Sequence, residues 1–160
     1  MKHLFSPWRS AYINRKQPAG CFLCRAKEQK KDRSNLLLFR GQQSFIIMNR
    51  FPYNNGHLMI APYRHIGDIT KLTADEVGEM FILLQQANGI LKREMKPEGF
   101  NVGMNLGRVA GAGLAEHLHL HVVPRWNGDT NFMPTLADTK VISEALDTTW
   151  RRLGRWFRKQ

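Results

Sequence analysis

The sequence has 160 residues, 42% of them hydrophobic, and a formal net charge of +11. This length fits one domain with a core of its own and no disulfide staples, and no apolar run approaches the roughly 20 residues of a membrane helix. The first residues, MKHLFSPWRSAYINRK, lack the apolar segment and cleavage site of a signal peptide, so we expect a cytoplasmic protein with no membrane association.

The excess of positive charge favours anionic partners, because a positive potential attracts nucleotides, polyphosphates and nucleic acids. Much of this charge lies in two segments, residues 25–33 and 151–159. Solvated helix faces account for most such runs. The charge by itself therefore does not support a function in nucleic-acid binding.

The first chemical motif along the chain is a C-x-x-C pair, Cys21 and Cys24, which follows the turn-forming sequence PAG at residues 18–20. Such a turn can present both thiolates to one ion. Structural zinc takes four nitrogen or sulfur ligands, so a zinc site needs two more. Taken alone, the pair also fits a redox pair or two inert core thiols.

Three strands are predicted next. Residues 36–40 and 44–51 are apolar runs separated by GQQ (41–43), a pattern typical of a hairpin. Residues 57–61 form the third run, which is entered through NNG (54–56), a strong turn signal.

A long helix is predicted to follow these strands. Thr73 and Glu76 have the spacing of a capping box at its start, and Pro97 with Gly99 ends it. Its apolar positions follow helical spacing: Val77, Met80, Phe81, Leu84, Ala87 and Leu91.

The remaining elements are two strands and a second helix. We predict strands over residues 100–106 and 116–123, a polar loop after Pro124, and a helix from about residue 139 to residue 158. Strands in short-linked succession around one long helix indicate an α+β fold with an antiparallel sheet of five strands, a long central helix and a C-terminal helix.

We expect the whole chain, residues 1–160, to form a single domain. No internal repeat or low-complexity linker divides it. Within it we distinguish an N-terminal segment with the C-x-x-C pair (1–35), a core (36–125), and a loop with the C-terminal helix (126–160).

The most informative segment is HLHLHVV, residues 117–123, which holds half of the six histidines in the chain. Alternation has the period of a strand, so His117, His119 and His121 should point to one face and the aliphatic residues to the other. A neutral imidazole is a good nucleophile toward phosphorus near neutral pH. The middle residue, His119, is the natural candidate for that role.

A glycine-rich stretch, RVAGAGLAE (108–116), leads into the histidines. Glycines let the backbone come close to a phosphate, and successive backbone N–H groups can form an anion-binding nest. Taken alone, the stretch also fits a plain turn. Beside the histidines it predicts a phosphate site.

These motifs resemble the histidine triad (HIT) superfamily of nucleotide hydrolases and transferases. The resemblance extends from CFLC through NRFPYNNGHLMIAPYRHI and NVGMNLGRVAGAGLAEHLHLHVVPRW to NGDTNFMP. The last pieces look most like the bacterial branch of diadenosine tetraphosphate hydrolases and phosphorylases. The resemblance implies a HIT-like fold and cleavage of diadenosine polyphosphates.

The resemblance also implies roles for three histidines. The family nucleophile is the middle histidine, here His119, which attacks an α-phosphorus and forms a nucleotidyl-histidine that water or phosphate then releases. His121 would lie beside the phosphates and assist charge stabilisation or departure of the leaving group. His57 would support the nucleophilic site from the neighbouring strand.

Binding positions carry over in the same way. Asn49 matches the position that meets the ribose hydroxyls, while Asn105 and the backbone near Gly113 match positions that hold phosphate. Each asparagine could also simply cap a strand end. One departure stands out: many family members have a hydroxyl residue before the triad, where this chain has AGL (112–114), so phosphate contact there must come from backbone N–H groups or from elsewhere.

Several bacterial HIT proteins resemble this chain in having a C-x-x-C pair near the start. In them a histidine after the third strand and the first triad histidine complete a structural zinc site. Here the set would be Cys21, Cys24, His65 and His117. The family resemblance also implies a homodimer with sheets joined edge to edge, and Mg²⁺ could accompany the nucleotide substrate.

Two alternative functions remain open from the residues. A nucleotide- or nucleic-acid-binding module would use the basic C-terminal helix with Trp126, Trp150 and Trp156, since aromatic side chains between basic residues can stack on bases. However, Trp150, Leu153 and Phe157 fall at helical spacing, which core or dimer packing explains more simply. A metal-dependent hydrolase with zinc on the triad is the other alternative.

Overall fold

The computed structural model describes residues 20–130 and 142–158, in which four helices and five strands are found. The helices are α1 (Phe22–Glu28), α2 (Asp32–Asn35), α3 (Ala74–Met95) and α4 (Leu146–Phe157). The strands are β1 (Leu37–Arg40), β2 (Ser44–Met48), β3 (Leu58–Pro62), β4 (Gly99–Gly103) and β5 (Leu120–Arg125).

The five strands form one sheet in the order β1-β2-β3-β5-β4, and every neighbouring pair is antiparallel. The predicted α+β fold with a five-stranded antiparallel sheet is therefore confirmed. Because β5 is inserted between β3 and β4, the histidine-rich segment leads into the middle of the sheet rather than to its edge.

Helix α3 covers one face of the sheet. Its buried side chains include Met80, Leu83 and Leu91, which pack in one cluster with Ile60 and Val122 of the central strands. The predicted capping box is present, since the Thr73 hydroxyl accepts from the Glu76 N–H and the Glu76 carboxylate accepts from the Thr73 N–H at 2.9 Å. Two of the predicted apolar positions, Val77 and Phe81, face outward instead, with 41% and 58% of their surface exposed.

Helix α1 covers part of the opposite face. Its residues Leu23 and Ala26 pack on Phe45, Ile47 and Met59. The sequence analysis missed this helix because it is short and because the thiol of Cys21 caps its start, accepting from the Cys24 N–H, in place of the usual oxygen side chain.

The fifth strand is shorter at its start than predicted and begins at Leu120 rather than at residue 116. The reason is a different backbone partner, because the Leu118 N–H donates to the Ile66 carbonyl at 2.7 Å. His117 and His119 therefore lie in the segment before β5. The fourth strand likewise ends at Gly103 rather than at residue 106.

Helix α4 packs on the rest of the core, as its apolar spacing predicted. Leu153 and Phe157 are buried, and the indole of Trp150 donates to the Leu37 carbonyl at 2.8 Å. The helix starts at Leu146, so the prediction was wrong for residues 142–145, which are not helical, while the predicted start near residue 139 lies outside the described residues. Within the two described ranges, none of the helices has the length and apolar character that crossing a membrane requires.

Candidate active site

The site lies on the face of the sheet away from α3. Strand register aligns Ile47 with Met59, Met59 with His121, and His121 with Gly103. Residues aligned across a sheet share a face, so His121 lies on the side that α1 partly covers. Leu120 and Val122 point the other way, into the cluster under α3.

His57 and His121 are joined by a hydrogen bond between Nε2 of His57 and Nδ1 of His121, at 2.9 Å. The direction of this bond follows from the other ring nitrogen of His57. The backbone N–H of Tyr53 lies 3.0 Å from Nδ1 of His57 and can only donate, so that nitrogen accepts. Neutral His57 therefore has its proton on Nε2 and donates it to His121, which leaves the proton of a neutral His121 on Nε2.

His119 is fixed by a different backbone group. Its Nδ1 lies 2.9 Å from the carbonyl oxygen of His117, which can only accept, so Nδ1 has the proton. Nε2 of a neutral His119 therefore holds a free lone pair. The rings of His119 and His121 are 4.8 Å apart and nearly perpendicular.

All three imidazoles are held in their neutral form. Burial lowers the pKa of His57 to about 3 and that of His121 to about 4, with repulsion from neighbouring histidines adding to the effect. Burial also lowers the pKa of His119, against the hydrogen bond to the His117 carbonyl, which raises it. At neutral pH the cluster combines one nucleophilic lone pair with one N–H donor.

The structure describes all three predicted binding positions, and one of them, Asn49, contacts the histidine cluster. Asn49 is half-buried at the end of β2, where its Oδ1 accepts from the Phe51 N–H and its Nδ2 lies 3.4 Å from Nδ1 of His57. Asn105 is half-buried two residues beyond Gly103, the partner of His121 in the sheet. Gly113 is exposed in the loop that leads to the histidines.

The glycine-rich loop contains a tight turn with a glycine on each side. Gly107 and Gly111 bracket a short 3₁₀ turn, Arg108–Ala110, with φ values of +85° and +90°. Side chains are disfavoured at such angles. The loop thus turns tightly before the exposed Gly113.

Tyr53 belongs to the site but was missed by the sequence analysis. Its ring lies over both imidazoles of the hydrogen-bonded pair, with centroids 4.7 Å from His57 and 5.8 Å from His121. The only available signal was its place within NRFPYNNGH, four residues before His57. Spacing could not show which way its ring or its N–H points.

A second cluster lies at the other end of this face. Cys21, Cys24, His65 and His117 each offer one ligand atom, and the four atoms lie within 4.8 Å of one another. Nδ1 of His117 is 3.2 Å from the Cys21 sulfur and 3.6 Å from the Cys24 sulfur, while Nδ1 of His65 is 3.4 Å from the Cys24 sulfur. This arrangement could hold a metal ion.

The protonation of His117 suits a metal ligand. Its Nε2 lies 2.9 Å from the Pro62 carbonyl oxygen and donates to it, so Nδ1 presents its lone pair to the thiols. Metal-binding histidines commonly have such a backbone acceptor on the other nitrogen. Burial raises the pKa of the Cys21 thiol, so binding a cation there would release a proton.

The chain is similar to one protein family and to several curated proteins. The model of the HIT domain matches residues 30–128. The AP-4-A phosphorylase of Mycobacterium tuberculosis H37Rv is 44% identical over 132 residues, which cover 82% of this chain and 68% of that protein. The bis(5'-adenosyl)-triphosphatase of Dictyostelium discoideum is 26% identical over 93 residues, covering 58% of this chain and 62% of that protein.

Solved structures show the same fold. A Zn-bound histidine triad family protein from Mycobacterium smegmatis has a TM-score of 0.68 and 22% identity, covering 88% of this chain and 94% of that one. A hypothetical histidine triad nucleotide-binding protein from Sulfolobus tokodaii has a TM-score of 0.68 and 20% identity, covering 87% of this chain and 93% of that one.

Proposed function

The chain belongs to the HIT domain family, and we propose that it is an enzyme that cleaves diadenosine polyphosphates, such as diadenosine tetraphosphate, at an α-phosphorus. The observation that carries this proposal is the complementary protonation of two adjacent rings. His119 offers a lone pair and His121 offers a proton, because each ring has its other nitrogen occupied.

In the first step Nε2 of His119 attacks the α-phosphorus. The N–P bond forms as the bridging P–O bond breaks, and the leaving nucleoside polyphosphate keeps the electron pair of that bond. The leaving oxygen accepts a hydrogen bond from Nε2–H of neutral His121, which stabilises the negative charge that develops on it. The positive charge that develops on His119 is stabilised by the His117 carbonyl, which accepts the Nδ1 hydrogen bond.

In the second step an acceptor oxygen attacks the same phosphorus and the N–P bond breaks. A phosphate acceptor attacks through an oxygen that has no proton, so His121 stays neutral and keeps its Nε2–H throughout. His57 supports both steps because its Nε2–H fixes the orientation of His121. Asn49 would bind the ribose hydroxyls, and Asn105 with the backbone near Gly113 would hold phosphate oxygens.

The second substrate is proposed to be inorganic phosphate. This choice follows the Mycobacterium tuberculosis relative, whose name is that of a phosphorylase and which is 44% identical. Transfer to phosphate would yield ADP and ATP from diadenosine tetraphosphate, whereas transfer to water would yield AMP and ATP. Mg²⁺ bound to the polyphosphate is compatible with this chemistry.

The two acceptors can be told apart directly. Purified protein is incubated with diadenosine tetraphosphate, with and without ³²P-labelled phosphate, and the products are separated. If the protein is a phosphorylase, we expect the label in ADP and no turnover without phosphate. AMP and ATP without phosphate would identify a hydrolase, and no cleavage in either case would contradict the function.

The His119→Ala variant tests the nucleophile in the same assay. We expect turnover to fall about 10³-fold or more, as for other covalent nucleophiles, while nucleotide binding is retained. A nucleotidyl adduct of the wild type, trapped under non-acidic conditions, should be detected by mass spectrometry and be absent from the variant. Cleavage by the variant at the wild-type rate would rule out this mechanism.

We further propose that Cys21, Cys24, His65 and His117 hold a structural zinc ion. Tetrahedral zinc with ordinary Zn–S and Zn–N bonds separates its sulfur and nitrogen ligands by about 3.6 Å, close to the 3.2–3.6 Å found here. A closed set of four ligands leaves no position for substrate. Zinc would therefore link the N-terminal segment to the sheet and take no part in the reaction.

A homodimer in the cytoplasm is also proposed. β4 is the last strand of the sheet in the described residues, and Val102 on it is 44% exposed. Val77 and Phe81 present further exposed apolar surface on α3. Joining two copies through this strand and helix would cover that surface. Both cysteines are free thiols, as zinc binding requires and as a reducing compartment favours.

A further inference from the structure

The turn between β2 and β3 is tied to the far end of β5 by one buried amide. Asn54 is 6% exposed, and its Nδ2 donates both to the Pro124 carbonyl at 3.1 Å and to the Asp129 carboxylate at 2.8 Å. Both hydrogens of this amide are thus used. Asn54 and Asp129 both lie outside the histidine clusters described above.

The Asp129 carboxylate, which accepts the hydrogen bond from Asn54, is itself held by further hydrogen bonds. Arg125 donates to Asp129 through two guanidinium nitrogens, at 2.6 and 2.9 Å, and the Trp126 N–H donates at 3.1 Å. These bonds hold the pKa of Asp129 well below its usual range, so the group is ionised. The remaining guanidinium nitrogen of Arg125 donates to Asn101 on β4. Because Arg125 itself belongs to β5, the Asp129 carboxylate is held to two strands.

Asn54 sits directly beside the backbone groups that set the protonation of His57. Its own carbonyl accepts from the His57 N–H at 3.2 Å. The preceding residue, Tyr53, supplies the N–H that donates to Nδ1 of His57. Anchoring the Asn54 side chain therefore fixes the position of the peptide group that selects the His57 tautomer.

We propose that Asp129 and Asn54 are positioning residues, which hold the Tyr53 N–H against His57 and so keep the His57 proton on Nε2, facing His121. The consequence for turnover rests on the proposed function, while the tautomer itself does not. If the Tyr53 N–H moved away, the proton of neutral His57 could occupy Nδ1. Nε2 would then require a proton from Nδ1 of His121, and His121 would lose the Nε2–H that donates to the leaving oxygen.

The tautomer can be measured without any substrate. Protein labelled with ¹⁵N in histidine is compared by NMR as wild type, Asp129→Asn and Asn54→Ala, with the ring nitrogens of His57 assigned through the His57→Gln variant. The matched control is Thr130→Val, which removes a bond to the other oxygen of Asp129 and leaves Asn54 untouched. Measurements are made well below each unfolding midpoint.

In the wild type and in Thr130→Val, we expect the proton on Nε2 of His57. In Asp129→Asn and Asn54→Ala, a substantial share of the Nδ1-protonated form should appear. The kcat for diadenosine tetraphosphate should fall about 10- to 100-fold, as for other displaced catalytic groups, with KM little changed. The double variant Asn54→Asp/Asp129→Asn, which restores one hydrogen bond with the roles reversed, should recover part of both losses.

A purely structural role gives a different result. Lower unfolding midpoints with an unchanged His57 tautomer and unchanged kcat in the folded variants would overturn the proposal. So would a wild-type His57 with its proton on Nδ1, a result that needs no variant to fold. If the tautomer shifts as expected but wild-type protein cleaves no dinucleotide, the positioning role stands and the proposed function fails.

Discussion

The carbonyl oxygen of His117 accepts the Nδ1–H of His119 at 2.9 Å, while the imidazole of His117 faces two cysteine sulfurs. One residue thus belongs to the candidate metal cluster through its side chain and to the histidine cluster through its backbone. Fixing His117 also fixes the acceptor that selects the His119 tautomer. The two clusters are separate in chemistry but adjoin through this residue.

Replacing His121 by Phe should impair cleavage in a way that depends on the leaving group. The variant lacks the Nε2–H donor, so departure of a nucleoside polyphosphate should slow about 10²- to 10³-fold. A p-nitrophenyl ester of AMP, whose leaving group is stable without that hydrogen bond, should be cleaved at close to the wild-type rate. Steady-state kinetics with both substrates check this, and equal losses for the two would contradict the role of His121 as the donor to the leaving oxygen.

Removing the proposed zinc should destabilise the fold. A Cys24→Ser variant, or wild type treated with a chelator, should lose one equivalent of metal and unfold about 10 °C lower, which corresponds to a few kcal/mol for a chain of this size. Metal analysis by mass spectrometry and thermal unfolding measure the two effects. The chelator should have no further effect on the variant. Wild-type protein that contains no zinc and whose unfolding temperature does not change with the chelator would contradict the proposed zinc site.

Acidification should destabilise the folded protein through His57 and His121. Burial lowers their folded pKa values to about 3 and about 4, below the ordinary value of 6.5. Between pH 6.5 and 4 the unfolded chain therefore binds more protons, so the free energy of unfolding is highest above pH 6.5 and falls as pH falls. The slope is at most about 1.4 kcal/mol per pH unit for each histidine.

Urea denaturation of metal-free protein at pH 7, 6 and 5 measures this dependence without loss of zinc. His57→Gln keeps a side-chain N–H donor but cannot take up a proton, so its free energy of unfolding should vary less with pH than that of the wild type. Identical pH dependence in the two proteins would show that His57 is not held neutral by burial.

Replacing Phe81 by Glu should weaken the proposed dimer. The side chain is 58% exposed on α3, so the substitution costs the folded monomer little, whereas a buried carboxylate in an interface is costly. We expect the dissociation constant from sedimentation equilibrium to rise at least about tenfold. Lys92→Glu, also on α3, serves as the charge control; a wild type that sediments as a monomer would end the dimer proposal.

The contacts of α4 favour packing and ion pairing over its alternative role as a nucleic-acid-binding element. The indole of Trp150 is engaged with the Leu37 carbonyl, and the Trp156 ring lies 3.7 Å beneath the Arg93 guanidinium. Arg151 and Arg155 pair with Asp147 and Glu94, at 2.7 and 2.6 Å. The aromatic and basic side chains of this helix therefore serve packing and ion pairing.

Several features could be predicted from the sequence because they depend on residues close together in the chain. The Thr73 capping box, the turn at residues 54–56 and the helical spacing of Leu153 and Phe157 are set within a few residues. Family resemblance supplied the composition of both clusters. The late start of β5 was missed, since the Leu118 N–H donates to the carbonyl of the distant Ile66. The early end of β4 was missed as well.

The sequence by itself determined the type of fold and three local motifs, because local patterns of polarity and turn residues encode these. The motifs are the C-x-x-C pair, the alternating histidines and the glycine-rich stretch. Only the tertiary structure decided which ring nitrogen has the proton in His57, His117, His119 and His121. That choice depends on backbone groups such as the Tyr53 N–H and the Pro62 carbonyl. Folding brings such groups to the rings; Pro62 and His117, for example, are 55 positions apart in the sequence. The order of the residues does not show in which direction these backbone groups point.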